Sequence, residues 1–418
     1  MGIAPYFLPS KVAPSQKYTN SPQVKKSPSL FLSAQLWALA CSCVKSAPSN
    51  LFCAAVTLRD MVRLLAFLAL LAAATSAAAP LRIRAADMSA LGVEDCALQC
   101  NRFRASPSSA PEDALRILAR AGYNTIRLRV WVHPAANHSD GSLENVVALS
   151  ARAAAANLSV WVDFHLSDWW ADPGHQAKPA AWAALALPQL AGAVSAHVGG
   201  ALAAVARVAR VAIVQVGNEI SPGALFPGAG QACADSGRLT QPCSGANWPA
   251  LATLLAAGIA AARAAAPGAL IALHTDLGNR GAYAAADAEA WYRGADAALA
   301  RAGAAYDVIA LSYYARYGAA GPGGLAPLAA ALRAAFPGRA LLLAETSYPW
   351  AGSSAPLAYA PTPGGQLQFW RDTAANASAA GLLGVAWWGG EYAGAWTALF
   401  DGQYTALPAL AEDVWGGA

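Results

Sequence analysis

The stretch Val211-Ala-Ile-Val-Gln-Val-Gly-Asn-Glu-Ile220 joins an apolar run to polar residues at its end. A continuous apolar run predicts a β-strand that is buried on both faces, as in a parallel sheet. Ala340-Leu-Leu-Leu-Ala-Glu345 repeats this pattern further along the chain, again with a glutamate at its end. Both stretches therefore predict parallel strands whose C-terminal ends carry polar side chains.

Eight such runs alternate with longer alanine-rich stretches that predict helices. The predicted strands are 81–87, 125–131, 159–165, 211–217, 269–274, 306–313, 340–345 and 382–388. The predicted helices lie near 111–121, 143–156, 180–208, 247–265, 283–302, 325–335 and 365–379. Strict alternation predicts an α/β fold, a single-domain (β/α)8 TIM barrel with loop insertions on its C-terminal face. An open doubly wound sheet is the alternative, but its usual Gly-rich first turn is missing at Asp87-Met-Ser-Ala-Leu-Gly92.

Polar and aromatic residues follow most of the predicted strands, where a TIM barrel has its functional face. Aromatic rings at this end, such as Trp350 and Trp388, are suited to stack on the apolar faces of sugars. The polar candidates at or just past the strand ends include Asp87, Arg127, Arg129, Asp163, His165, Asn218, Glu219, His274, Asp276, Tyr313, Tyr314 and Glu345.

Glu219 and Glu345 are the only glutamates that directly end strongly apolar strands. About three strand–helix units separate them, which places them on opposing walls of one cleft. A pair of carboxyl groups predicts acid/base and nucleophilic chemistry, as in glycoside hydrolysis, with a separation of about 5–5.5 Å for a retaining enzyme. The alternative is that each glutamate is only an ion-pair partner of Arg127 or Arg129.

The charge distribution argues against nucleic-acid binding. Residues 1–79 hold seven of the 28 basic residues and one of the 24 acidic residues, so residues 80–418 carry 21 basic and 23 acidic side chains. A chain without a basic footprint suits a neutral substrate. His165 and His274 lack the spacing of a metal site, and we find no phosphate loop and no Gly-x-Ser-x-Gly motif, so we expect neither a metal nor a cofactor.

The first 79 residues do not read as part of the barrel. Residues 61–79 combine a charged start, the apolar run Leu64–Leu71 and small residues, which is typical of a secretory signal peptide. Residues 1–60 are Ser/Pro/Lys-rich and predict a disordered extension, or an artefact of the start-codon assignment with translation beginning at Met61. If Met1 is the true start, residues 61–79 form a signal-anchor. We expect a secreted monomer without a stable membrane partner, and the domain to span 80–418.

The remaining cysteines fit an exported protein. Cys96, Cys100, Cys233 and Cys243 follow the signal-like segment. Four cysteines allow three disulfide connectivities, of which the two local pairs are the simplest. A zinc site is the rival interpretation, but the spacings are not those of a zinc finger.

Several stretches resemble the arabinogalactan endo-β-1,4-galactanases of glycoside hydrolase family 53. They are Asn124-Thr-Ile-Arg-Leu-Arg-Val-Trp131, the segment from Asp163 to Gln176, Val214-Gln-Val-Gly-Asn-Glu-Ile220, His274-Thr-Asp276, Leu311-Ser-Tyr-Tyr314 and Ala344-Glu-Thr-Ser-Tyr-Pro-Trp350. The resemblance covers about Ile83 to Leu410.

The resemblance implies a retaining endo-hydrolase of β-1,4-galactan, with Glu219 as general acid/base and Glu345 as nucleophile. Because Arg127 lies at a strand end, we expect it to keep Glu345 ionised. The candidate substrate contacts are Asp87, Arg127, Asp163, His165, Asn218, His274, Tyr313, Trp350 and Trp388.

This chain departs from the family pattern at three places, one of which is the loop after the first strand with Cys96 and Cys100. Leu166 stands where the family usually has tyrosine, and Glu391 is displaced by two positions after the last strand. These departures leave the role of that last loop open. Two other functions also stay open: a related barrel glycanase that acts on another β-linked polysaccharide such as mannan, and a carbohydrate-binding barrel without activity.

Overall fold

The computed structural model describes residues 80–94, 102–136, 138–226, 248–352 and 357–416. In these ranges, eight parallel strands close into one barrel in chain order. The strands are β1 (Ile83–Asp87), β2 (Thr125–Val130), β3 (Ser159–Phe164), β4 (Val211–Val216), β5 (Leu270–Thr275), β6 (Val308–Ser312), β7 (Ala340–Thr346) and β8 (Gly384–Trp387). The predicted (β/α)8 barrel is confirmed.

Each strand is followed by a helix on the outside of the barrel. The helices are α1 (Ala114–Arg120), α2 (Leu143–Ala155), α3 (Leu187–Val205), α4 (Trp248–Ala265), α5 (Ala284–Arg301), α6 (Leu325–Ala335), α7 (Pro363–Ala379) and α8 (Pro408–Ala411). An additional single helical turn, Leu91–Glu94, follows β1.

Two helices begin later than the sequence pattern predicts, for local reasons. The first predicted helix starts at 111, but Asp113 caps α1 by accepting a hydrogen bond from the backbone N–H of Leu115. The third starts at 180, but residues 180–182 form a separate 3-10 turn, and α3 begins beside Pro188, which fits the first turn of a helix.

Inside the barrel, one large ring shares an apolar cluster with several alanines. Trp161 is fully buried there, and the guanidinium carbon of Arg127 lies 5.4 Å from its ring centre. Small residues leave the volume that the indole needs at the packing density of protein interiors. Five alanines from five strands share this cluster: Ala85, Ala272, Ala310, Ala344 and Ala386. The polar side chains at the strand ends therefore rest on a packed apolar interior.

Helix α4 shows how the helices approach the barrel. A Cβ atom at Gly258 would lie 2.8 Å from Val216 Cγ1 of β4, so glycine permits this close contact. Within the described ranges, α4 is the one helix that is long and apolar enough to span a membrane. Here it buries Leu251, Leu255 and Ile259 as an ordinary helix of the barrel.

Several predictions fall on residues that the structure does not describe. Residues 1–79, and with them the predicted extension and signal segment, lie outside the described ranges, as do Cys96, Cys100, Cys233 and Cys243. The proposed disulfides and the domain boundaries therefore stay predictions.

Candidate active site

Arg127 lies at the centre of a buried polar network at the C-terminal end of the barrel. It belongs to β2, and only 1% of its side chain is exposed. Five acceptors lie between 2.7 and 3.2 Å from its nitrogens: Asp87, Asp163, Gln215, Asn218 and Glu345. A guanidinium has five N–H groups, so every donor of Arg127 has an acceptor.

Glu345 reaches this network because β7 is irregular at its end. Leu342 and Ala344 belong to the barrel interior, so strict alternation would turn Glu345 outward. The pairing of β7 with both neighbouring strands shifts register next to Glu345. A shift of this kind re-aims a side chain. The carboxylate consequently pairs with Arg127 (2.9 Å) and accepts a hydrogen bond from the Tyr314 hydroxyl (2.9 Å).

Glu219 follows β4 in a turn with left-handed backbone. Gly217 has a φ of +91°, and a Cβ there would lie 2.6 Å from Ile220 Cγ2, so the turn requires glycine. Glu219 itself has a φ of +47°, which is uncommon for a residue with a side chain. Gln176 holds the turn by donating to the backbone carbonyls of Asn218 (2.8 Å) and Glu219 (3.3 Å). Strained backbone of this kind is often found at functional sites.

The side chain of Glu219 contacts a different set of groups from that of Glu345. Ser312 Oγ lies 2.5 Å from Glu219 Oε1 and 2.9 Å from His274 Nε2. His274 is fully buried, and its Nδ1 lies 2.8 Å from Asn218 Oδ1. The two glutamates thus differ in environment: one contacts a guanidinium and a phenol, and the other a hydroxyl backed by an imidazole.

Asp163 and His165 form a second buried pair beside Arg127. His165 Nδ1 accepts a hydrogen bond from the backbone N–H of Ala171 (2.9 Å), while its Nε2 lies 3.0 Å from Asp163 Oδ2. Burial alone would raise the pKa of Asp163, but the charge of Arg127 lowers this pKa. Asp163 is therefore an anionic partner of the guanidinium, and Asp87 pairs with the same group at 3.0 Å.

The electrostatic environment separates the two glutamates. Burial raises the pKa of Glu219 well above its usual value, and the charges of Glu345 and Asp276 raise it further. Burial also raises the pKa of Glu345, to about 7, against the lowering effects of Arg127 and the Tyr314 hydroxyl. As the pH increases, we therefore expect Glu345 to lose its proton before Glu219.

Aromatic rings adjoin the two carboxyl groups. The ring centre of Trp388 lies 6.2 Å from that of Trp170, 6.5 Å from that of Tyr314 and 6.3 Å from that of Tyr392. Since Tyr314 also donates to Glu345, this aromatic cluster lies directly beside the carboxylate.

Tyr313 and Trp350, which the sequence also nominates, hold loops at the same face. The Tyr313 hydroxyl donates to the carbonyl of Gly321 (2.8 Å), and Trp350 Nε1 donates to the carbonyl of Ala395 (2.7 Å). Their polar atoms contact the loops that follow β6 and β8.

A sequence profile decides the family to which this arrangement belongs. The profile of glycosyl hydrolase family 53 matches residues 83–411. The chain belongs to glycosyl hydrolase family 53. The match extends from β1 to α8, so it includes the whole barrel and every residue of the polar network.

Relatives with galactanase names are similar to the chain in sequence. A probable arabinogalactan endo-β-1,4-galactanase A of Aspergillus terreus is 41% identical over 169 residues, which cover 39% of this chain and 45% of the relative. The chain spans about half the length of the curated relatives it matches.

Two solved structures match over nearly their whole length. The family 53 catalytic domain of Ignisphaera aggregans superposes with a TM-score of 0.65 at 28% identity and covers 82% of this chain and 96% of that domain. A structure from a study of two fungal β-1,4-galactanases gives a TM-score of 0.66 at 25% identity and covers 80% and 99%.

The sequence pattern did not indicate the importance of two residues of this family 53 site. Tyr314 and Ser312 contact the two glutamates, whereas the sequence favoured Tyr313 as a binding residue. The motif Leu311-Ser-Tyr-Tyr314 contains all three, but the choice between adjacent tyrosines depends on the register shift between β6 and β7.

Glu391, whose position was unusual in the sequence, lies buried beside the network. Its Oε1 accepts a hydrogen bond from the backbone N–H of Ala90 (3.1 Å), and burial together with the charge of Asp87 raises the pKa of Glu391. In the part of the chain that the structure describes, no cluster of three or more His, Cys, Asp or Glu side chains could hold a metal ion.

Proposed function

We propose that the protein is a retaining endo-glycosidase that hydrolyses β-1,4-galactosidic bonds in galactan and type I arabinogalactan. Membership of family 53 and the galactanase names of its relatives support this activity. The observation that carries the mechanism is the pair Glu219 and Glu345, two carboxyl groups at one face of the barrel with different partners and different proton affinities.

The environments of the two glutamates assign their roles. Glu345 pairs with Arg127 and loses its proton first, so it is the carboxylate that attacks the anomeric carbon. Glu219 has the higher pKa and keeps its proton, as a general acid must. Retention of configuration follows because a second displacement by water reverses the first.

The reaction proceeds in two steps. Glu345 forms an ester with the anomeric carbon while the glycosidic C–O bond breaks and Glu219 gives its proton to the departing oxygen. The shortened galactan chain leaves. Glu219, now ionised, takes a proton from water as the water oxygen attacks the anomeric carbon, and the ester bond to Glu345 breaks.

The remaining network residues act mainly through these two groups. Because all N–H groups of Arg127 have acceptors, it orients Glu345 instead of binding sugar directly. Asp87 and Asp163 pair with the guanidinium, and His165 contacts Asp163. Asn218 donates one amide hydrogen to Ala171 (2.8 Å), which leaves the other for a sugar hydroxyl.

The aromatic residues complete the proposal. Trp388 and Trp170 provide ring faces for sugar stacking beside the carboxyl pair, while Tyr313 and Trp350 shape the cleft through the loops that they hold. We further propose that a monomer acts outside the cell, exported by the signal-like segment 61–79 or anchored through it.

Product analysis tests this function. Purified protein is incubated with β-1,4-galactan and, separately, with β-1,4-mannan, and the products are sized by chromatography. We expect internal cleavage of galactan into short oligosaccharides, with the β-anomer appearing first by proton NMR. Cleavage of mannan alone would favour the related glycanase, and binding of either polymer without cleavage would favour a carbohydrate-binding barrel.

A further inference from the structure

His274 is a buried imidazole with a single ring hydrogen. It is fully buried, and burial together with the charge of Arg127 lowers the pKa of His274 well below its usual value. A neutral imidazole has one donor nitrogen and one acceptor nitrogen. The neighbours of each nitrogen therefore decide which one carries the hydrogen.

Three groups lie near Nδ1, and the shortest contact places the hydrogen there. The backbone N–H of Glu219 points to Nδ1 from 3.4 Å, which is longer than an ordinary hydrogen bond, so this donor contributes little. Asn218 Oδ1 lies 2.8 Å from His274 Nδ1 and can only accept. The orientation of the Asn218 amide is fixed at both ends, because its Nδ2 donates to the Ala171 carbonyl (2.8 Å) and its Oδ1 accepts from Arg127 (2.7 Å). A bare Nδ1 would bring two acceptors within 2.8 Å of each other, which is unfavourable.

The Gln215 amide does not need His274 as an acceptor. Its Nε2 lies 3.0 Å from His274 Nδ1, but also 3.0 Å from Asn218 Oδ1 and 3.2 Å from the Gly217 carbonyl. Arg127 Nε fixes the orientation of this amide by donating to its Oε1 (3.2 Å). The two amide hydrogens are thus satisfied by two oxygen atoms.

With the hydrogen on Nδ1, the other ring nitrogen of His274 must accept. Ser312 Oγ lies 2.9 Å from Nε2, so the single hydroxyl hydrogen of Ser312 is directed to the imidazole. A lone pair of the same oxygen then faces Glu219 Oε1 at 2.5 Å. A contact this short needs a hydrogen between the oxygens, and only Glu219 can supply it.

We propose that His274 and Ser312 form a directed hydrogen-bond chain that holds the proton of Glu219 in the free enzyme. The chain runs from Glu219 to Ser312, then to His274, and from His274 to Asn218. His274 and Ser312 are positioning residues, since they act through Glu219. This proposal rests on the acid/base role proposed for Glu219.

The hydrogen-bond chain also disfavours the ionised form of Glu219. When Glu219 gives its proton to the departing glycosidic oxygen, the one hydrogen of Ser312 faces two acceptors, Glu219 Oε1 and His274 Nε2. One of them is then left without a hydrogen bond, and an unsatisfied buried acceptor is unfavourable. When water returns a proton to Glu219 in the second step, the chain is complete again.

Other charged groups face this chain and are unchanged in the variants below. Those that act on Glu219 are Glu345 at the end of β7, Asp276 after β5 and Asp172 in the loop after β3. Those that act on His274 are Arg127 of β2, Asp163 of β3 and His165 just after it.

The variant His274→Asn tests the direction of the chain. Asparagine keeps an N–H near the position of Nδ1 but provides no acceptor for Ser312, whose hydrogen becomes free to stabilise ionised Glu219. We expect the alkaline limb of the kcat/KM profile on galactan to move down by about one pH unit. An alkaline limb that stays in place or moves to higher pH would overturn the proposal. With the opposite tautomer, His274 Nε2 donates to Ser312, so the variant would remove a hydrogen-bond donor instead of an acceptor. His197→Asn, a change of another neutral histidine on α3, is the control.

A second variant shows whether His274 acts through Ser312. In a Ser312→Ala background, His274→Asn should no longer move the alkaline limb. If the shift persists there, His274 acts directly on Glu219 and the chain is wrong. Ser150→Ala, which removes a buried hydroxyl that donates to the Val146 carbonyl (2.6 Å) of α2, is the matched control.

Nitrogen NMR of the unsubstituted protein tests the chain without substrate. With 15N-labelled histidine, we expect His274 to show a protonated Nδ1 and a bare Nε2 at neutral pH. A protonated Nε2 would overturn the proposal. Because this readout needs no turnover, it stays informative if the variants do not fold or if galactan is not the substrate, and galactan assays alone decide the proposed function.

Discussion

Replacing Tyr314 by phenylalanine removes one hydroxyl group and keeps the ring. This hydroxyl donates to Glu345 Oε2 (2.9 Å), and the ring packs near Trp388. A donor to the carboxylate stabilises the ionised form, so its loss raises the pKa of Glu345. The nucleophile must be ionised to react, and the acid limb of the kcat/KM profile should therefore move to higher pH.

The size of the expected decrease in kcat/KM follows from the pKa of Glu345 in the unsubstituted protein. Burial raises the pKa of Glu345 to about 7, so about half of the nucleophile is ionised at pH 7. A hydrogen bond to a charged group contributes about 1.5–3 kcal/mol, which corresponds to about one to two pH units. The ionised fraction at pH 7 then falls to about one tenth to one hundredth, and we expect kcat/KM to fall roughly 5- to 50-fold.

The assay is the pH dependence of kcat/KM on soluble galactan, compared with Tyr313→Phe as the matched control. Tyr313 is the neighbouring tyrosine, but its hydroxyl donates to the Gly321 carbonyl, so its acid limb should stay in place. Activity of Tyr314→Phe should recover at higher pH. A uniform loss at every pH, or an equal shift in both variants, would refute the assignment of Tyr314 to Glu345.

Three further predictions concern the network and the turn. Arg127→Met leaves three buried carboxylates without their cation, and we expect the free energy of unfolding to fall by about 3–5 kcal/mol in urea titrations; Arg293→Met, which breaks an exposed pair on α5, should cost less than about 1 kcal/mol. Gly217→Ala forces a Cβ against Ile220 at positive φ, so we expect the free energy of unfolding to fall by about 1–3 kcal/mol and the activity to decrease. An unchanged unfolding midpoint would contradict the argument that this turn is strained. In Glu345→Ala, kcat should fall on the order of 10³-fold or more, and azide should restore cleavage to give a glycosyl azide of inverted configuration. Hydrolysis at the wild-type rate would remove Glu345 from the mechanism.

The barrel was predictable because the hydrophobic pattern agrees with the positions of the Gly, Pro and Asn residues that separate the predicted elements. Apolar runs such as 211–216 and 340–344 predict strands that are buried on both faces, and eight of them in alternation with helices leave few topologies. The starts of α1 and α3 were less predictable, because alanine is compatible with helix, turn and 3-10 conformations, and the caps decide where the helix begins.

The site was predictable in composition but not in detailed geometry. The positions of Glu219 and Glu345 at strand ends were readable because strand ends of a barrel meet at one face. The register irregularity around β7, which turns Glu345 inward and brings Tyr314 to it, arises from packing between strands and leaves no local sequence signal. The acceptor set of Arg127 likewise depends on residues from several strands that only the closed barrel brings together.

Trapping the covalent intermediate identifies the nucleophile of the first step. The protein is incubated with a 2-deoxy-2-fluoro-galactosyl donor with a good leaving group, digested, and analysed by mass spectrometry. We expect the fluorinated sugar to be attached to the peptide that contains Glu345, as an ester of that side chain, and Glu345→Gln to carry none. A label on another residue, or turnover that never yields a labelled enzyme while the product has inverted configuration, would contradict this expectation.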